Sequence, residues 1–295
     1  MKRAVIILIF FIIGVASGVW YAKSQGKAAS DHINHKAEIY PDFTPARVPE
    51  ESPHTNPAKA YVSIVLDDWG YNTSALDELT GLMHPVTVAI LPELPYSRTV
   101  ANAAIQAGHE VILHMPMEPV SRQNMESLTL LTEMDGPTLR ANLQTALSSV
   151  PHVRGVSNHT GSAFTANAEG MSIVLNEIAA SGLYFFDSMV TAETVGYQIA
   201  TDINLPTAKR DIFIDNVRET EAITGQLEKL ADLAVRSGSA IGIGHDEEIT
   251  LRAIQDIIPE WEKQGIEMIA LGDLIQMRRK KSKVNRQFES LVNQI

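Results

Sequence analysis

The chain has 295 residues, 45% of them hydrophobic and 20% charged, which supports one large folded domain or two modest ones and excludes wholesale disorder. Its 24 Lys and Arg against 35 Asp and Glu leave a formal charge of −11, which argues against nucleic acid as a partner because phosphate neutralisation needs clustered cations. Cysteine is absent, so disulfides, thiolate metal sites and cysteine nucleophiles are excluded, and any metal must be held by His, Asp or Glu.

Residues 1–23 open with Lys2 and Arg3, followed by an apolar run from Ala4 to Ala22. A basic start and such a run describe a signal peptide or an N-terminal membrane anchor. Ala16-Ser17-Gly18 offers a small-residue cleavage site, while the full run with Trp20 and Tyr21 at its edge has the length to span a bilayer. Both outcomes place the rest of the chain outside the cytoplasm, in the periplasm or cell envelope, and the second tethers it to the inner membrane. Residues 24–59 form a tether: Pro41, Pro45, Pro49, Pro53 and Pro57 recur every fourth position, which forbids a stable helix and favours extended chain.

From residue 60 to 275 short apolar runs alternate with amphipathic stretches. The runs are Tyr61–Leu66, Val86–Leu91, Val111–Leu113, Gly155–Ser157, Leu183–Phe186, Ile212–Ile214, Ala240–Ile243 and Ile266–Leu271. Most are continuous rather than alternating, as in strands of a parallel sheet covered on both faces. Helices are predicted over Thr73–Met83, Arg98–Ala107, Pro137–Val150, Asn167–Ala180, Glu219–Arg236 and Glu248–Lys263, with Ser97 as an opening cap and Gly108, Gly182 and Gly238 as closing residues. Seven or eight βα units in this length predict an α/β fold, a small (β/α) barrel, with a doubly wound open sheet as the rival. No glycine-rich nucleotide loop follows any strand. Residues 276–295 are a basic tail with Arg278, Arg279, Lys280, Lys281, Lys283 and Arg286, read first as a solvated helix face. No heptad pattern assigns an oligomeric state.

The chemistry-bearing residues fall where predicted strands end. Strand one ends in Asp67-Asp68-Trp69-Gly70, strand three in His114 through Glu118, strand four in Asn158-His159, and later strands in Asp187, Asp215 and Gly244-His245. In a parallel barrel these ends converge on one rim. Each has an ordinary alternative: Asp is good turn chemistry, a lone His is often a packing residue, and Asp187 and Asp215 suit helix caps or outer partners. Two adjacent carboxylates and three imidazoles on one rim, however, are costly to desolvate without a cation or a chemical task. Asp with two His and an open position suits a divalent cation, Zn2+ foremost, and also Fe2+, Mn2+ or Co2+.

The strings VLDDWG, GHEVILHMPMEP, SNHTGSAFT, FFDS, RDIFID and IGIGH, in this order, resemble the divergent polysaccharide deacetylases, relatives of the NodB-homology carbohydrate esterases. The resemblance covers residues 60–275 and implies an exported, metal-dependent, distorted (β/α)7 barrel acting on an acetylated glycan. It makes Asp67 the general base, Asp68 and His114 metal ligands, and His245 the general acid. The better-known deacetylases carry a second histidine four residues after the first; here that position is Glu118, and His159 from the next strand is the better third ligand. The arginine that steadies the base in those enzymes has no clear match, and Arg210 is the substitute candidate. Trp69, Tyr71, Phe164 and Asn158 are candidates for substrate contact, Phe186 more for the core.

Hydrolysis of an N-acetyl amide needs an activated water, a stabilised oxyanion and a protonated leaving amine, which this residue set can supply. Two other readings stand beside the deacetylase: a catalytically weak or inactive glycan-binding or scaffold protein of the envelope, and another metal-assisted esterase.

Overall fold

The computed structural model describes residues 59–123 and 125–292, the last eight of these by backbone alone. The apolar N-terminal run and almost all of the Pro-rich tether lie outside the described residues. Among the described residues, no helix is long and apolar enough to cross a membrane.

Nine parallel strands alternate with eight helices among the described residues. In chain order they are β1 (Ala60–Trp69), α1 (Leu76–Gly81), β2 (Thr87–Ile90), α2 (Ser97–Gln106), β3 (Glu110–Met117), α3 (Gly136–Ser149), β4 (Gly155–Thr160) and α4 (Ala168–Ala180). Then follow β5 (Tyr184–Asp187), α5 (Gly196–Asp202), β6 (Thr207–Lys209), β7 (Ile212–Phe213), α6 (Thr220–Ser237), β8 (Ser239–His245), α7 (Glu248–Lys263), β9 (Ile266–Met268) and α8 (Leu271–Val292).

The sheet order is β6-β5-β4-β3-β2-β1-β8-β7, with β9 paired to β1 off this path. A doubly wound sheet would change direction at an interior switch point; here the order winds steadily round, so the sheet curls. Its two end strands are consecutive in the chain. Between them, Arg210 N–H donates to the Asp187 carbonyl of β5 and Asp211 N–H to the Ile241 carbonyl of β8. β6 and β7 thus share one position across an open seam, which leaves seven strand positions. The fold is the distorted, incompletely closed (β/α)7 barrel expected of a polysaccharide deacetylase-like chain.

Side chains alternate across the strands and build two apolar layers. Val62, Ile64 and Leu66 of β1 face outward and pack with Leu79, Val100, Leu143, Leu227 and Ile254 of the helices. Val65 faces into the curl with Ala89, Ile112, Phe186, Ile241 and Ile243, and Leu271, Leu274 and Ile275 of α8 join that inner cluster. Each such fully buried aliphatic side chain stabilises the fold by about 1.5–3 kcal/mol. Polar contacts fix α8 across the N-terminal end of the barrel: Gly272 N–H donates to Glu110 at 3.0 Å, and Arg278 Nε to Ser239 Oγ at 2.9 Å.

Two expectations are corrected. The run Ile266–Leu271 is strand only as far as Met268, because Leu271 already opens the helix that closes the barrel end. Ser97 does not cap α2 from outside but is its first residue; its hydroxyl donates to the Leu91 carbonyl at 2.6 Å and accepts from Leu94 N–H at 3.1 Å. The basic tail, by contrast, begins as read: it continues α8 and is exposed from Lys280 to Val284, a solvated helix face.

Candidate metal and catalytic centre

The rim of the barrel is built from a backbone irregularity in β1. The register runs Leu66↔Val88 and then Trp69↔Ile90, so β1 carries one extra residue against β2. Asp68 takes a left-handed φ of 67° within this bulge. Adjacent residues of a regular strand point to opposite faces; a bulge with one left-handed residue re-aims them. Both Asp67 and Asp68 consequently line the same cavity, with His114, Asn158, His159, Thr160, Ser188 and His245 among the other polar residues. Its apolar wall is Val190, Phe213 and Ile243.

Asp68, His114 and His159 each offer one ligand atom, and these atoms lie within 4.8 Å of one another. Asp68 Oδ1 is 2.8 Å from His159 Nδ1 and 3.2 Å from His114 Nε2. His114 comes from β3 and its Nδ1 rests 2.7 Å from Ser157 Oγ, the residue opposite it in β4. His159 lies two residues further along β4, on the same face as Ser157. One carboxylate and two imidazoles converging on a point with an open side form a donor set that fits a divalent cation such as Zn2+. A buried orphan supports that fit: Asp67 Oδ1, beside the cluster, has no hydrogen-bond partner among the described residues.

The charges of the centre are interdependent. Burial pushes the Asp67 carboxyl up from the ordinary range, against the pull of His114. Burial also acts to raise Asp68, but the imidazoles of His159, His114 and His245 outweigh it and hold that carboxyl well below the usual range. His159 is brought up to about 10 against burial by Asp68 and Glu126.

His245 ends β8 on the opposite side, its Nε2 3.8 Å from Asp68 Oδ2. Asp215 accepts from the His245 ring at Nδ1 (2.9 Å), from the His245 backbone N–H (2.7 Å) and from Thr250 Oγ1 (2.7 Å). Gly244 permits this approach, since a Cβ there would lie 2.9 Å from Thr250 Cγ2 and 3.2 Å from Asp215 Oδ2. Burial opposes the charge on His245, but Asp215, Asp68 and Asp67 bring its pKa up to about 10.

Most of the other sequence candidates sit outside the converging ligand atoms. Glu118 is not among the converging ligand atoms: it accepts from Thr132 N–H at 2.6 Å, Thr132 Oγ1 at 2.7 Å and Arg122 Nε, and so anchors the segment after β3. Asp187 accepts from Met189 N–H, Thr194 Oγ1 and Tyr197 N–H, each at 2.9 Å, and shapes the β5–α5 connection. Arg210 donates to the Ser188 and Met189 carbonyls and lies 5.0 Å from the centre of the Phe213 ring. Asn158 lines the cavity, with its amide donating to Thr160 O and accepting from Ser188 N–H, each at 2.9 Å. Trp69 and Phe164 cannot present stacking faces: the bulge turns Trp69 into the core, where it is 1% exposed, and Phe164 is fully enclosed. Tyr71 keeps an exposed ring, 44% accessible, and donates to Glu126 at 2.6 Å.

Three partners of the centre escaped sequence reasoning. Ser157 was discoverable, since strand periodicity places it on the His159 face. Glu126 lies in the irregular segment after β3 and gives no local signal, yet its Oε1 is 3.4 Å from His159 Nε2. Asp246 follows His245 at the end of β8, where the sequence assigns it no role; burial and Asp68 push its carboxyl up to about 7.

Comparison with known proteins agrees with this architecture. The uncharacterized protein YibQ of Escherichia coli (strain K12) is 34% identical over 197 residues, 67% of this chain and 62% of that protein. The chain therefore spans less than two thirds of that relative's length. An uncharacterized protein of Haemophilus influenzae is 30% identical over 217 residues, 74% of this chain and 77% of its own. Among solved structures, the uncharacterized protein ATU2773 from Agrobacterium tumefaciens C58 superposes with a TM-score of 0.71 at 25% identity, covering 75% of this chain and 92% of that one. Residues 64–275 match the sequence profile described as "Divergent polysaccharide deacetylase", and the chain belongs to that family.

Proposed function

We propose that this protein is an exported, metal-dependent hydrolase that removes N-acetyl groups from a polysaccharide of the cell envelope. The observation that carries the reading is the Asp68–His114–His159 cluster, flanked by Asp67 on one side and by the Asp215-held His245 on the other. Export rests on the sequence of residues 1–23, as a signal peptide or an anchor.

Asp68, His114 and His159 hold the cation, with Zn2+ the first candidate. When bound, it polarises the acetyl carbonyl and lowers the pKa of water. Asp67, adjacent to the ligand Asp68 and with Oδ1 uncommitted to the protein, takes the proton from the attacking water. Asp215 fixes the proton on His245 Nδ1 and supports its charged form, so that Nε2 delivers a proton to the leaving nitrogen. Each acid–base role contributes roughly 10²–10⁴-fold. Tyr71 offers the exposed ring against which a sugar can lie.

The test is metal content and acetate release from a panel of N-acetylated glycans, with Asp67→Asn and His245→Ala variants. One metal per chain with acetate release lost in both variants supports the reading. Acetate release unaltered in both variants overturns the assigned roles. A second reading, a glycan-binding protein without turnover, is favoured by Glu118: the better-known enzymes have a second histidine there, and this carboxylate is engaged by Thr132 and Arg122. Bound metal without release from any acetylated glycan selects it.

A further inference from the structure

We infer that Glu126, held by Tyr71, is a positioning residue that orients His159 toward the cation, an inference that rests on the metal-binding reading above. The His159 ring stands between two carboxylates, with Nδ1 2.8 Å from Asp68 Oδ1 and Nε2 3.4 Å from Glu126 Oε1. A neutral imidazole has one protonated nitrogen and one with a free lone pair. Asp68 is itself a ligand, so the nitrogen beside it, Nδ1, must present the lone pair. Nε2 then carries the proton and needs an acceptor on its far side. Glu126 is that acceptor: its side chain is only 12% exposed, and the Tyr71 hydroxyl donates to the same oxygen at 2.6 Å.

The arrangement differs from that of the other ligand histidine. His114 leans on the neutral hydroxyl of Ser157, whereas His159 leans on a carboxylate that strengthens its ring as a donor. The contact is also not needed to hold the segment in place. Leu130 N–H donates to the Pro116 carbonyl and Glu118 N–H to the Leu130 carbonyl, both at 2.9 Å, and Thr132 engages Glu118. None of those ties uses the Glu126 carboxylate.

The experiment measures Zn2+ affinity of the full chain by competition with a chromogenic chelator, for wild type, Glu126→Ala, Glu126→Gln and Tyr71→Phe. Glu126→Ala is expected to weaken Zn2+ by about 10–100-fold, the range seen when outer partners of metal-bound histidines are removed. Glu126→Gln, which keeps an acceptor without the charge, falls between it and wild type, and Tyr71→Phe has a smaller effect. Nitrogen-15 spectra of the Zn2+-loaded protein report which ring nitrogen of His159 is protonated, a readout that mere loop stabilisation does not move; Nε2 is expected. Wild-type affinity in Glu126→Ala, or a proton on Nδ1, overturns this inference alone. Absence of Zn2+ binding by the wild type overturns it together with the hydrolase reading.

Discussion

Asp215 grips His245 at two points, the ring Nδ1 at 2.9 Å and the backbone N–H at 2.7 Å, so one buried carboxylate sets both where the imidazole stands and which nitrogen it presents. Burial by itself would push His245 down; Asp215 leads the groups that bring it up to about 10. A general acid works while protonated and is lost as pH rises through its pKa. Asp215→Asn removes the largest stabiliser of the charged ring, so the alkaline limb of the kcat/KM profile moves to lower pH. His245→Ala lowers kcat by about 10²–10⁴-fold and removes that limb. An alkaline limb unmoved in Asp215→Asn contradicts the coupling.

A cation bound at the proposed Asp68–His114–His159 site is expected to stabilise the folded state alone. At a free Zn2+ concentration a hundred times its dissociation constant the gain is about 2.7 kcal/mol. Thermal unfolding with and without Zn2+ reads this as an upward shift in Tm. The shift disappears in His159→Ala and persists in Glu118→Ala, because the Glu118 carboxylate is committed to Thr132 and Arg122.

Gly161 follows His159 and Thr160 with a φ of 95°, and a Cβ there would stand 2.7 Å from Met117 Cβ. Gly161→Ala meets both a left-handed backbone and a close neighbour. The expected loss is about 1–3 kcal/mol, the usual cost of overpacking, read by urea denaturation. Since the strain falls next to His159, metal affinity is expected to drop as well.

His109 is buried away from the rim, with Nε2 2.8 Å from the Leu79 carbonyl, and burial lowers its pKa below the ordinary value near 6.5. The unfolded chain then takes up this proton at a higher pH than the folded one. Stability from this residue is complete above the unfolded value and falls as pH drops below it, until the folded pKa is reached. Denaturation midpoints of wild type and His109→Asn at pH 7.5 and pH 5.5 check the sign: the pH-dependent loss is smaller in the variant.

Much of the barrel is legible in the chain because buried parallel strands leave continuous apolar runs and their ends leave polar ones. Thr207–Lys209 leaves neither, since it is a three-residue strand at the seam whose partner exists only after the sheet has curled. The helix Gly196–Asp202 is hidden by its length, only seven residues opening with a glycine. His114, His159 and His245 stand out because imidazoles at strand ends are conspicuous against apolar runs. Trp69 misleads for the opposite reason: its position invites a rim role, and the bulge that turns Asp67 and Asp68 together sends the indole to the buried layer between strands and helices. Glu126 depends on a contact with Tyr71 across 55 residues, which no local pattern encodes.

The described chain enters at Lys59 beside Glu267 of β9, at the same end that α8 closes and opposite the rim of Asp68 and His245. The cavity that gathers Asp68, His114, His159 and His245 therefore stands at the far end of the strands from both Lys59 and α8.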